Sequence, residues 1–160
     1  MNGPEFQGDA ITPAGLDALK AEIEQLQTEG RRAMGERLLA ARDLGDLKEN
    51  AEYHIAKEDQ AHLETKILRL RERLRSAVVV EADARDGKFS FGTTAEVRDL
   101  TTDKVHTWTI VGPTEANLGQ GKLSSESPVA EALLGRAEGD EVAVETPGGT
   151  RRYRVEKLAA

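Results

Sequence analysis

Gly45-Asp46-Leu47-Lys48-Glu49-Asn50-Ala51-Glu52-Tyr53 interrupts two long stretches whose apolar residues recur every three or four positions, and that interruption decides the fold. Before it, Leu16, Leu19, Ile23 and Leu26 make a stripe that weakens through Gly30 and Ala33, resumes around Leu38 and Ala41, and stops near Leu44 and Gly45. After it, Leu63, Ile67, Leu70, Leu74 and Ala77 keep the same spacing, with charged residues filling most positions between, as in a two-helix seam. A short break between arms of nearly equal length makes them antiparallel neighbours. At 1.5 Å per residue, roughly thirty residues per arm make a rod about 45 Å long with Gly45 at its tip.

Outward from the tip, Thr12-Pro13 reads as the start of the first helix: threonine caps free amides, and proline lacks an amide that is unpaired there anyway. Asp46 is the expected start of the second. Past Ala77 the pattern changes to the β-branched run Val78-Val79-Val80, and glycine becomes frequent from Gly87. Thr94–Leu100 and Val105–Val111 alternate as a hairpin, and Glu141–Glu145 and Arg152–Glu156 form a second one turned by Pro147-Gly148-Gly149. Ser127 to Gly135 reads as one short helix, capped by serine, stopped by glycine, and packing Val129, Leu133 and Leu134 onto the sheet. The expected architecture is α+β: residues 1–11 an N-terminal extension, 12–77 an antiparallel coiled coil, and 78–160 a small β-sheet domain with one short helix.

The composition narrows the function. The formal charge of −7, from 22 basic and 29 acidic residues, disfavours a generic nucleic-acid binder, whose affinity comes from clustered lysine and arginine. Cysteine is absent, which removes disulfides and thiolate chemistry and suits the cytoplasm. There is no apolar run long enough to span a membrane and no basic-then-apolar leader, so a membrane partner is not expected. Neither a Gly-x-Ser-x-Gly elbow nor a phosphate-binding Gly-x-x-x-x-Gly-Lys loop occurs.

The candidate chemistry sits at the tip. Asp46 and Glu49 are three apart, so on a first helical turn their carboxylates are neighbours and can share a cation. Magnesium is commonly held by one or two carboxylates together with water and phosphate, so two acids suffice if another molecule supplies the rest. The same spacing is also that of a capping box, with Glu49 reaching back to the Asp46 amide, and spacing alone leaves both open. His54, Glu58 and His62 recur every four residues, but the imidazoles lie about 12 Å apart along a helix, too far to share one ion. Lys57 is close enough to the tip to meet phosphate, while Arg69 to Arg75 read as a solvated helix face. A thin rod has no walls to hold a substrate, so acids at its end make sense if another macromolecule receives them.

Gly45 to His54 resembles the tip motif of the bacterial Gre transcript-cleavage factors, and of their GreA branch in particular. Ala40-Ala41-Arg42, Phe91-Gly92, Ser127-Pro128 and Thr146-Pro147-Gly148-Gly149 extend the likeness over about residues 10 to 158. The resemblance implies a coiled coil that enters the secondary channel of bacterial RNA polymerase and an FKBP-like C-terminal domain that docks at the rim. It also implies that Asp46 and Glu49 help hold a magnesium ion shared with the polymerase centre and position the water that cleaves backtracked RNA near its 3′ end. The free protein is then a monomer that needs no cofactor, stimulates the polymerase and is no nuclease itself. The partners implied are the elongation complex and the nascent RNA 3′ end, with Ser127 and Pro128 as docking residues. Lys57 stands where the family pattern has arginine, which keeps the charge but loses the planar fork. The alternative is a regulator or inhibitor that fills the channel without promoting cleavage. Prolyl isomerase activity is not implied, because the second half has only Phe89, Phe91, Trp108 and Tyr153 to line an aromatic pocket.

Overall fold

The computed structural model describes residues 9–46, 50–83 and 86–159, which divide into two compact units. Leu16–Ala77 forms the helical unit; residues 9–15 group with Val78–Ala160 in the other.

In the helical unit, α1 (Pro13–Gln25) passes through a π-helical turn, Leu26–Gly30, into α2 (Arg31–Arg42), and α3 (Ala51–Ser76) returns alongside. Leu19, Ile23 and Ala41 are buried on the outgoing arm and Ala56, Ile67 and Leu70 on the returning one. Ion pairs across the seam run in opposite chain order, Arg31 with Glu64 at 2.9 Å and Arg37 with Asp59 at 2.6 Å, so the arms are antiparallel. The stripe does not pass through Ala33, which is exposed; it passes through half-buried Leu26, Gly30, Met34 and Leu38. That run of three steps of four holds one residue more than the alternating pattern allows, and the π turn absorbs it. Gly30 faces the other arm there: a Cβ on it would stand 3.5 Å from Leu63 Cδ1.

The second helix does not begin at Asp46. It begins at Ala51, with Asn50 as its cap: Asn50 Oδ1 accepts from the Tyr53 amide at 3.0 Å. Asparagine is as good a cap as aspartate, and four residues nearer the first buried side chain of the arm it leaves Asp46 outside the helix.

In the other unit, β1 (Asp9–Ile11) pairs with β2 (Ala77–Val79), so the last residues of the expected extension are a strand. Thr12 caps α1, its Oγ1 accepting from the Gly15 amide at 3.0 Å. Glu115 grips the same turn, accepting from the Thr12 hydroxyl, the Thr12 amide and the Gly112 amide. A side chain on Gly15 would displace that carboxylate, since a Cβ would fall 1.9 Å from Glu115 Oε1.

The main sheet has five strands in the order β5-β4-β3-β7-β6, with β3 (Thr94–Asp99), β4 (Lys104–Val111), β5 (Lys122–Ser124), β6 (Glu141–Thr146) and β7 (Gly149–Leu158). Neighbours are antiparallel except β4 and β5, which run parallel. Both expected hairpins are present, and Pro147-Gly148 forms the two-residue turn of the second between paired Thr146 and Gly149. The inward face carries Ala95, Val97, Trp108, Ile110, Val142, Val144, Tyr153 and Val155, covered by α4 (Pro128–Leu133). Leu134 is not part of that cover: it is exposed, and Ala130 fills the buried position with Leu133 beside partly buried Val129. Phe89, Trp108 and Tyr153 are buried in this core, their rings committed to packing.

Candidate functional site

Why the tip has its form follows from how α2 ends and α3 begins. The last turn of α2 closes with the Leu44 amide donating to Ala41 O at 3.2 Å and the Gly45 amide to Arg42 O at 3.3 Å. Gly45 then turns the chain at φ 113°, a conformation that side chains rarely adopt. Asp46 follows, exposed and outside any helix. Leu47, Lys48 and Glu49 lie outside the described residues, so the Glu49 assignment and its spacing to Asp46 have no structural counterpart here. Asp46 itself is not on the first turn of α3, which starts at Ala51 with Asn50 as its cap.

The described residues around this corner are more apolar than the acidic sequence suggests. Leu39 is 59% exposed, Leu44 67% and Ile55 51%. Arg37, Ala40, Ala41, Leu44, Glu52 and Ile55 line a shallow groove beside the tip. Helical periodicity missed this collar because Leu39, Leu44 and Ile55 are off the seam; large apolar residues away from a core-facing stripe are the signal that marks it.

Among the described residues, no group of three or more histidine, aspartate or glutamate side chains is placed to hold a metal ion. The exposed Asp46 carboxylate, a hard oxygen donor, suits a cation whose remaining ligands come from elsewhere. His54, Glu58 and His62 are exposed along α3. Lys57 is also exposed on α3, its Nζ 3.5 Å from Gln60 Oε1, and seven positions past the Asn50 cap, about 10 Å along the axis.

Ser127 and Pro128 belong to the other unit. Ser127 Oγ accepts from the Ala130 amide at 3.2 Å and donates to Ser124 O at 2.7 Å, and Pro128 is exposed at the first position of α4. Capping accounts for the serine fully.

The residue that the spacing argument overlooked is Asn50. Its Oδ1 caps α3, while its Nδ2 donates to Ala41 O at 2.5 Å across the tip. Its preference for cap positions was a readable signal; its reach to α2 was not.

Comparison with known proteins bears on both units. The family models described as "Transcription elongation factor, N-terminal" and "Transcription elongation factor, GreA/GreB, C-term" match residues 10–79 and 84–160. Transcription elongation factor GreA of Nautilia profundicola is 43% identical over 151 residues, covering 94% of this chain and 93% of that protein. GreA of Ralstonia nicotianae is 44% identical over 148 residues, covering 91% and 93%. The crystal structure of GreA factor homolog 1 (Gfh1) of Thermus thermophilus is 27% identical, covers 96% of this chain and 99% of that one, and superposes with a TM-score of 0.42. With both halves matched by family models, and relatives at 43% and 44% identity along nearly its whole length, this chain belongs to the GreA/GreB family of transcription elongation factors.

Proposed function

We propose that this chain is a transcription elongation factor that binds bacterial RNA polymerase, passes its helical arm into the secondary channel, and stimulates the polymerase to cleave backtracked RNA near the 3′ end. One observation carries the reading beyond the family: Asp46 lies past the end of α2, exposed at the tip and outside any helix. A carboxylate so placed acts in a site that another molecule completes. The exposed Leu39, Leu44 and Ile55 around it are the kind of apolar surface that a partner covers.

In this reading Asp46 and Glu49 would be the residues that hold a magnesium ion jointly with the polymerase, and they orient the attacking water by accepting its hydrogen bonds. A bound magnesium ion would supply Lewis acidity for water activation and phosphate charge. The Lys57 charge would meet RNA phosphate, and Ser127 and Pro128 would contribute to docking on the polymerase. The factor works as a monomer in the cytoplasm, its partners being the elongation complex and the nascent RNA 3′ end, and it has no nuclease activity alone.

Adding the protein to purified backtracked elongation complexes and resolving the RNA on a gel tests this directly. Short 3′ fragments, with resumed extension of the remaining RNA, are the expected result. Slowed extension without fragments would replace the reading with channel inhibition, and fragments released from free RNA without polymerase would make the chain a nuclease.

A further inference from the structure

Two sides of the tip converge on one atom. The Ala41 carbonyl accepts from the Leu44 amide at 3.2 Å, on the α2 side, and from Asn50 Nδ2 at 2.5 Å, on the α3 side. Ala41 is buried in the seam and Asn50 half-buried, so this junction rests on the packed part of the unit. Asn50 meanwhile holds the first turn of α3 through Oδ1 to the Tyr53 amide at 3.0 Å. One side chain therefore performs two tasks that need opposite chemistry, an acceptor for the helix and a donor for the facing arm. Among the residues that cap helices well, only asparagine carries both at this length.

We infer that Asn50 is a positioning residue for transcript cleavage, tying the end of α2 to the start of α3 so that Asp46 is presented at one place. The inference rests on the reading of the tip given above. The bond joins residues nine positions apart, and Asp46 lies between them in sequence. Gly45, at φ 113°, sets the corner on the α2 side, and Asn50 closes the other side. Catalysis that depends on a carboxylate meeting a partner's site is sensitive to misplacement on the ångström scale.

Two substitutions separate positioning from capping. Asn50→Ser keeps a good neutral cap, but its hydroxyl is too short to reach Ala41. Asn50→Asp keeps the length and the cap but has no hydrogen to donate. The test uses the full chain on backtracked bacterial elongation complexes, with cleavage rate measured at saturating factor over a magnesium titration.

For both variants we expect an unchanged thermal unfolding midpoint and an unchanged half-saturating factor concentration. The maximal cleavage rate should fall about tenfold or more, and more magnesium should be needed for half-maximal rate. Asn50→Ser combined with Asp46→Asn should be no slower than Asp46→Asn alone, as expected for residues acting through one another. Wild-type rate and magnesium dependence in Asn50→Ser would overturn the inference. So would a loss that follows weaker binding or a lower midpoint, or a double variant whose losses multiply. A wild-type chain that stimulates no cleavage would instead remove the functional reading, and the inference with it.

Discussion

Asp99 shows how a single carboxylate can be both buried and charged. It sits at the end of β3, 3% exposed, accepting from the Thr101 amide at 2.8 Å and from Arg151 Nη1 at 3.1 Å. Burial pushes its carboxyl up, but the Thr101 and Thr102 amides and the Arg151 guanidinium outweigh burial and hold it below the usual aspartate range. Unfolded Asp99 therefore takes up a proton first as pH falls. Its contribution to stability is complete above about pH 4 and disappears as pH drops through the lower folded value. Urea midpoints measured from about pH 7 down to about pH 3 should show less acid sensitivity in Asp99→Asn than in the wild type. At neutral pH, Asp99→Ala should cost about 1–3 kcal/mol through its unpaired amides. Glu115→Ala should cost a similar amount, about 1–3 kcal/mol, by releasing Thr12 and Gly112, and should raise amide exchange at residues 9–15 in particular. Alternation alone put residue 99 on the inward face of β3, yet its charge argued for solvent; only the turn beyond it, which folds amides back onto the carboxylate, resolves the conflict. Glu115 was illegible for a simpler reason, since its partner Thr12 lies 103 positions away.

At the scale of elements, local signals were read well wherever one residue type has one physical use. Thr12-Pro13, Ser127-Pro128 and the Pro147-Gly148 turn are all where the sequence placed them. The signals failed where two residues compete for one role. Asp46 and Asn50 are both good caps, and the interaction that decides for Asn50 is its second bond, to Ala41, which no local pattern encodes. Leu134 would share the buried face of Ala130, four positions earlier, but α4 ends at Leu133 and leaves it exposed. The pairings of β1 with β2 and of β4 with parallel β5 join distant segments, beyond the reach of periodicity. Gly35 lies in α2 with no atom within 4 Å of an added Cβ, so Gly35→Ala should stabilise the helical unit by about 0.5–1 kcal/mol and leave transcript cleavage unchanged. Removing the Ser127 cap with alanine should cost about 1 kcal/mol in the β unit. Circular dichroism melts of both variants check these values.

For the molecule as a whole, the long arms and the small sheet domain were legible because each is a sustained pattern, and the family rests on motifs spread through both. The site was only half legible. Spacing located the acids and the thin rod already pointed to a partner, but neither showed the corner beside Asp46, made by Gly45 and braced by Asn50. Among the described residues no helix is long and apolar enough to cross a membrane, and no cluster could hold a metal unaided. Under the proposed function, Asp46 acts inside a site completed by RNA polymerase. The most direct measurement is the single-turnover rate of RNA cleavage in a backtracked complex saturated with the wild-type chain or with Asp46→Asn. The expected result is a loss on the order of a hundredfold in maximal rate, with unchanged half-saturation by the factor. Cleavage by Asp46→Asn at the wild-type rate would contradict the account.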